Sequence, residues 1–213
     1  MGLYTVVFLG MSQSNSPPQL AILAYGSLKD DPGPELKPLI RNTKSVQTPF
    51  PVEYGRASHR RGGAPTLIPM ETGAPVEGTL LILDPTVTVE AARDMLWRRE
   101  TRRASGNYNP PANPSDDHVI IKEYNGLGGV ALVLATRIGS NIRPLTPQEL
   151  ARCAIASAKS SEVKDGHDGI SYLLRARSSG VETPLTAAYA QTILDETGTN
   201  SLEEAIKAAR AFR

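Results

Sequence analysis

Strand patterns and helix patterns are segregated along this chain, and that segregation limits the fold more than any other feature. Short apolar or alternating runs bounded by glycine and proline occupy most of the sequence up to residue 136, whereas helical patterns fill the remainder. One helical pattern, from Val89 to about Arg102, interrupts the strands. Chains with separate strand and helix regions form α+β folds. We therefore predict an α+β fold built on a small antiparallel sheet or barrel.

Individual strands are predicted from apolar runs and turn signals. The run Leu20–Ala24 is apolar throughout and stops at Tyr25-Gly26-Ser27, which predicts a buried strand that enters a tight loop. Residues 29–49 are rich in proline, lysine and aspartate and predict a loop. Further strands are predicted at residues 51–56, within 62–69, and at 76–83, 118–124 and 130–136. We expect two antiparallel hairpins, one joining 62–69 to 76–83 and one joining 118–124 to 130–136.

Capping residues mark where the predicted helices begin. Thr88 precedes the helix that interrupts the strands, and Thr146-Pro147-Gln148-Glu149 combines a capping box with proline at the first helical position. Asp168 and Asn200 offer caps for later helices. The last third of the chain is therefore expected to form a helical C-terminal part.

Length and composition predict one domain, and the single cysteine is compatible with a reducing compartment. We divide the 213 residues into an N-terminal extension, residues 1–18, and one domain, residues 19–213. A start at Met11 is equally compatible with the sequence. No segment is long and apolar enough for a transmembrane helix, so we expect a cytosolic protein with no membrane partner. The 23 basic and 22 acidic residues and 5% aromatic residues do not favour a nucleic-acid partner.

Glu100 is the strongest candidate for a catalytic residue on physical grounds. Val89, Ala92, Met95 and Leu96 recur at helical spacing and define an apolar helix face. Position 100 falls within roughly 40° of Leu96 on the helical wheel, so its carboxylate projects toward the core side. Such a group destabilises the fold unless it is paired or has a function. An ion pair with a neighbouring arginine is the alternative interpretation.

The sequence Tyr25-Gly26-Ser27-Leu28 is the second candidate site. Glycine permits a sharp turn and a close approach to the backbone, and successive amides in such a loop form an anion-binding nest. Serine adds a hydroxyl donor. A simple strand-to-loop turn is the structural alternative.

The sequence gives little support for a metal site or a dinucleotide-binding site. The three histidines, His59, His118 and His167, lack metal-ligand spacing, and Cys153 is the single cysteine. The glycines of residues 126–129 are not followed by a predicted helix, as a dinucleotide-binding fingerprint requires. Two interpretations are open for the arginines at 60–61 and 98–103. They attract an anionic substrate, or they form a solvated basic face.

Several short segments, in the same order, resemble the gamma-glutamylcyclotransferase-like family. They are Ala24-Tyr-Gly-Ser-Leu28, Arg61-Gly-Gly-Ala-Pro-Thr-Leu67, Val76-Glu-Gly-Thr-Leu80, Leu96-Trp-Arg-Arg-Glu100, Asp168-Gly-Ile-Ser-Tyr-Leu173 and Arg177-Ser-Ser-Gly180. The loop and the glutamate are the most specific of them. The resemblance implies a small mixed or antiparallel β-barrel with flanking helices, no metal and no organic cofactor.

The resemblance also implies a reaction and roles for these residues. Members of the family release 5-oxoproline and a free amine or amino acid from a gamma-glutamyl compound. By resemblance, residues 25–28 bind the glutamyl end of this small-molecule substrate and Glu100 moves the proton. The alternatives are removal of a gamma-glutamyl group from an unusual amine, and a non-catalytic ligand-binding module on the same fold.

The loop at residues 105–117 has no counterpart in the family pattern. It follows the Glu100 helix directly and contains three prolines and Tyr108. We expect it to shape the pocket for the leaving amine, with Tyr108 contacting the substrate. The alternative is that Tyr108 only anchors the loop to the protein body.

Overall fold

A computed structural model describes residues 19–211, so the predicted extension, residues 1–18, lies outside the described residues. The described part is α+β, as predicted. The strands are β1 (Leu20–Ala24), β2 (Ile40–Gln47), β3 (Val52–Ser58), β4 (Ala64–Pro69), β5 (Glu77–Leu83), β6 (Ile120–Asn125) and β7 (Leu132–Arg137). The helices are α1 (Ser27–Asp30), α2 (Val89–Thr101), α3 (Pro147–Lys159), α4 (Gly169–Ser178), α5 (Thr186–Thr197) and α6 (Leu202–Arg210).

The strands form two sheets rather than a closed barrel. A five-stranded mixed sheet has the order β2-β5-β1-β7-β6, and β3 pairs with β4 in a separate two-stranded sheet. Among the described residues, no pairing closes either sheet into the barrel that the family resemblance implies. The helical C-terminal part is present as α3–α6.

β1 lies at the centre of the larger sheet, which explains why it is apolar at every position. It pairs antiparallel with β5 and parallel with β7. Its side chains alternate between two cores, with Ala21 and Leu23 packing toward α3–α6 and Leu20, Ile22 and Ala24 packing toward α2. Because both faces are covered, neither carries polar residues.

The predicted loop at residues 29–49 contains β2, so that prediction is wrong for residues 40–47. β2 forms one edge of the larger sheet and pairs with β5 from Ile40 to Gln47. Most of its side chains are exposed. Since neither face of β2 is well buried, the sequence carries no alternating apolar pattern from which a strand is predicted.

The predicted hairpin between residues 62–69 and 76–83 is also wrong. β4 pairs with β3 instead, and β5 inserts between β2 and β1. After β4 the chain passes beside the start of β3, where Ala74 forms an isolated bridge with Val52, before it enters the larger sheet. The other hairpin, between β6 and β7, is confirmed.

Most predicted helix starts are confirmed. The side chains of Thr88, Thr146 and Asp168 each accept a hydrogen bond from the amide three residues further on. α6 is capped by Ser201 rather than by the predicted Asn200. Within residues 19–211, no helix combines the length and the apolar character needed to cross a bilayer.

A buried carboxylate joins α4 to α6. Asp168 is fully buried and accepts hydrogen bonds from the amide and hydroxyl of Ser171 and from Arg210. Burial alone would raise the pKa of the Asp168 carboxyl, but the bonds from Ser171 and Arg210 outweigh it and hold the pKa below its usual value. This network fixes the start of α4, which carries residues of the candidate site.

Candidate functional site

A cleft of about 630 Å³ lies where β1 and β7 end. These two strands are parallel neighbours, so their carboxyl ends meet at one edge of the sheet. The β1–α1 loop, the β3–β4 turn, the end of α2, and α4 with the connection that precedes it form the walls. The volume lies within the range of small-molecule sites in proteins.

Glu100 lies in the last turn of α2 and lines this cleft. Its side chain is 24% exposed, and Oε1 accepts a hydrogen bond from Arg99 Nη1 at 2.7 Å. The sequence offers a functional carboxylate or an ion pair as alternatives. The structure shows the ion pair with Arg99, and the carboxylate also lines the cleft. No described residue forms a hydrogen bond with Oε2, which leaves that oxygen available to a ligand.

The four residues of the predicted loop, Tyr25, Gly26, Ser27 and Leu28, line the same cleft as Glu100. Leu28 is buried in the core beside α2 and anchors the loop. The first amides of a helix lack partners within it, and no described residue accepts a hydrogen bond from the amides of Ser27 and Leu28. The structure therefore brings together the loop and the carboxylate that the sequence predicts to act together.

Tyr25 is a buried phenol at the base of the cleft. Its hydroxyl donates to the carbonyl oxygen of Thr136 at 3.3 Å, and its ring packs edge-on against Phe50. Burial and then the charge of Glu100 raise the pKa of the Tyr25 phenol well above its ordinary value. Tyr25 is therefore a neutral hydrogen-bonding group beside the carboxylate.

Position 26 requires glycine because Tyr172 packs closely against it. The neighbour is therefore a group of the protein and not the ligand that the sequence predicts. A Cβ at this position would lie 2.9 Å from the hydroxyl of Tyr172, which accepts a hydrogen bond from the amide of Leu67. We expect Gly26→Ala to cost about 1–3 kcal/mol, because a buried contact would be overpacked. Urea unfolding of Gly26→Ala, Tyr172→Phe and the double variant measures this.

Removal of the Tyr172 hydroxyl is expected to relieve the overpacking, so the double variant should lose less stability than the sum of the single variants. Strict additivity of the two free energies would show that Gly26 and Tyr172 do not interact in this way.

The structure does not bring Tyr108 into the cleft. Its amide donates to Asp94 and its hydroxyl accepts from the amide of Ile121, so both ends of the residue are held on the other side of α2. Its side chain packs against the core beside α2, and no residue of the 105–117 loop lines the cleft. The geometry favours the alternative interpretation, in which Tyr108 anchors the loop.

Another wall of the cleft carries Arg61, one of the arginines that the sequence offers as an attraction for an anionic substrate, and Arg175, which sequence reasoning did not single out. Arg61 lies in the β3–β4 turn, stacks over the ring of Tyr172 with its Cζ 5.2 Å from the ring centroid, and donates to the carbonyl oxygen of His167. Arg175 of α4 lines the same wall. The two arginines are separated by more than 100 residues, so no local pattern identifies this wall.

The cleft carries an excess of positive charge. Six arginines and four carboxylates line it, namely Arg56, Arg60, Arg61, Arg99, Arg102, Arg175, Asp30, Asp31, Glu100 and Asp165. Four of the arginines pair with carboxylates, whereas half-buried Arg61 has no carboxylate partner among the described residues. Burial and then the neighbouring arginines lower the pKa of the Arg61 guanidinium. An anionic ligand would compensate this charge.

The described residues offer no group of three or more histidine, cysteine, aspartate and glutamate side chains arranged to hold a metal ion. His59 and His167 lie at the cleft, and both are exposed. Burial and then the charge of Arg61 lower the pKa of His167, which agrees with a positive potential at this wall.

In comparisons with known proteins, no family model, curated protein or solved structure matches this chain. The resemblance to the gamma-glutamylcyclotransferase-like family stays a prediction that rests on the short motifs of the sequence.

Proposed function

We propose that this protein is a gamma-glutamyl cyclotransferase that releases 5-oxoproline and a free amine or amino acid from a gamma-glutamyl compound. The observation that supports this proposal is the convergence of residues 25–28 and Glu100 on one cleft. These are the two parts that the family resemblance assigns to substrate binding and proton transfer. The cytosolic location also stays a prediction, and the described strands pair in two sheets without the closed barrel that the resemblance implies.

The chemistry requires few groups from the protein. The substrate's α-amino nitrogen attacks its own γ-carbonyl carbon, a new amide bond closes the five-membered ring, and the original γ-amide bond breaks. This attack is intramolecular, so the enzyme mainly has to hold one conformation of a flexible chain. The ammonium group loses two protons as it becomes the ring amide N–H. Glu100 takes the first before attack and gives it to the leaving nitrogen, and it then takes the second from the ring nitrogen and passes it to the released amine. The reaction consumes no water.

Further roles within this mechanism are part of the proposal and are supported by the positions of the cleft residues. The free amides of Ser27 and Leu28 hold the glutamyl end, and Tyr25 contributes a neutral hydroxyl close to the reacting groups. The wall of the cleft that carries Arg61 binds a carboxylate of the substrate. Charge-assisted bonds to such a guanidinium are strong and directional.

The proposal is tested by incubation of the purified protein with a panel of gamma-glutamyl amides and detection of 5-oxoproline by mass spectrometry. The panel includes gamma-glutamyl amino acids, a gamma-glutamyl dipeptide, ε-(gamma-glutamyl)lysine and a simple alkyl amide. Release from at least one substrate at a rate that scales with protein concentration supports the proposal. Saturable binding of these compounds without release of 5-oxoproline would identify a binding module instead.

Arg61→Gln is expected to raise KM by about 10–100-fold, because a charge-assisted hydrogen bond contributes about 1.5–3 kcal/mol. The effect on kcat should be smaller, since Arg61 binds a non-reacting part of the substrate. Steady-state kinetics on the best substrate of the panel measures both constants. Arg41→Gln, on exposed β2, is the matched control and should leave KM unchanged. An unchanged KM in Arg61→Gln would remove Arg61 from the binding site.

A further inference from the structure

Arg99 is a buried arginine that contacts both parts of the proposed site. Its side chain is only 6% exposed. Its Nε and Nη2 donate to the carbonyl oxygen of Asp31 at 3.0 and 2.7 Å, and Nη2 also lies 3.3 Å from Ser27 Oγ. Its Nη1 donates to Glu100 Oε1 at 2.7 Å. One guanidinium therefore joins both ends of α1 to the carboxylate at the end of α2.

The chain after α1 wraps closely around this side chain. Gly33 has a φ of +85°, and a Cβ at that position would lie 3.1 Å from Arg99 Cγ. Gly33 and the Asp31 carbonyl therefore enclose the stem and the head of the arginine. Burial of a guanidinium is costly unless its donors are satisfied, and here they are satisfied by the groups that form the cleft.

We propose that Arg99 is a positioning residue of the cyclotransferase reaction, holding the Glu100 carboxylate and the substrate loop in a fixed mutual geometry. This proposal rests on the proposed function. Arg99 occupies Oε1 of Glu100, while no described residue bonds to Oε2, so the carboxylate is held by one oxygen and accepts the proton on the other. The same guanidinium sets the distance from Glu100 Oε2 to Ser27. The glutamyl end of the substrate binds beside Ser27.

A planar fork of donors is needed for this role. Arginine presents donors in several fixed directions and reaches Asp31, Ser27 and Glu100 at once, whereas lysine presents one compact ammonium. Arg99→Lys therefore keeps the charge and loses the simultaneous contacts. A displacement of about 1 Å between reacting groups lowers a rate by about 10²-fold.

The test compares Arg99→Lys and Arg99→Ala with the wild type in kcat, KM and melting temperature. We expect kcat to fall by about 10²-fold in both variants, with a smaller rise in KM. Added guanidinium chloride at low millimolar concentration should restore part of the activity of Arg99→Ala, because the free ion refills the vacated site. The same salt should not restore Glu100→Gln, which lacks the proton acceptor.

Arg98→Ala is the matched control. Arg98 is adjacent to Arg99 on the same helix but lies outside the cleft, pairing with Glu35. The Arg98→Ala variant should keep wild-type kcat and KM.

The possible outcomes separate the two proposals. A lower melting temperature with an unchanged kcat, measured well below that temperature, would make Arg99 a structural residue and overturn its positioning role. Loss of kcat in Arg99→Lys at an unchanged melting temperature, with guanidinium rescue of Arg99→Ala, supports that role. Absence of 5-oxoproline release by the wild type on every substrate would overturn the proposed function, and the role of Arg99 with it.

Discussion

Replacing Glu100 by glutamine should lower kcat by roughly 10²–10⁴-fold, the contribution that a positioned general base makes to a reaction. Glutamine has the same shape, and its side-chain oxygen can still accept the hydrogen bond from Arg99 that Glu100 Oε1 accepts. The variant therefore keeps the cleft and loses only the group that takes the proton. Its melting temperature should stay close to that of the wild type.

Kinetics and thermal melting of Glu100→Gln, measured on the same preparation, test this expectation. Glu90→Gln is the matched control, because Glu90 lies in the first turn of the same helix with its side chain 77% exposed and outside the cleft. The control should retain full activity. Turnover of Glu100→Gln within threefold of the wild type would show that another group moves the proton.

Glu53→Ala should destabilise the fold by about 3–5 kcal/mol, the largest loss of stability that we expect from one substitution. Glu53 is fully buried on β3. Its Oε1 accepts hydrogen bonds from the Thr183 hydroxyl at 2.6 Å and from the amide of Tyr54, and its Oε2 accepts from the amide of Leu185. Alanine would leave the two amides without an acceptor, leave the Thr183 hydroxyl only Thr186 Oγ1 as a partner, and open a cavity between β3 and the start of α5.

Urea unfolding of Glu53→Ala and Glu53→Gln measures this effect. Glutamine keeps one acceptor oxygen, so it should lose clearly less stability than alanine. A typical domain has a free energy of unfolding of about 5–15 kcal/mol, so the alanine variant should unfold at a much lower urea concentration. A loss below about 1 kcal/mol would show that Tyr54, Thr183 and Leu185 find other acceptors. Glu53 does not line the cleft, so the folded variants should keep their kcat.

The parts of the site that the sequence predicts are those with strong local signals. β1 is a short apolar run that stops at a glycine, and α2 has a cap at Thr88 and a periodic apolar face. Each of these patterns lies within about 15 consecutive residues. The prediction that Glu100 and Tyr25–Leu28 act together came from the resemblance, and the structure places them in one cleft.

The parts that the sequence does not predict depend on contacts between distant segments. β2 is a polar edge strand without an apolar pattern. β4 pairs with β3, although the order of the segments along the chain predicts a hairpin with β5. The burial of Arg99 follows from Asp31 and Gly33, nearly 70 residues before it in the chain. The sequence predicts Tyr108 beside the substrate because its loop follows α2, but the hydroxyl of Tyr108 bonds to the amide of Ile121 on β6.

A crystal structure of Glu100→Gln with a bound gamma-glutamyl amide tests the central claim most directly. The substitution slows turnover by roughly 10²–10⁴-fold and preserves the cleft, so a short soak before freezing shows the substrate before it reacts. We predict that its α-amino nitrogen lies beside the side chain at position 100, with the glutamyl end on the amides of Ser27 and Leu28. A ligand bound elsewhere, or one whose amino group lies far from position 100, would contradict the account.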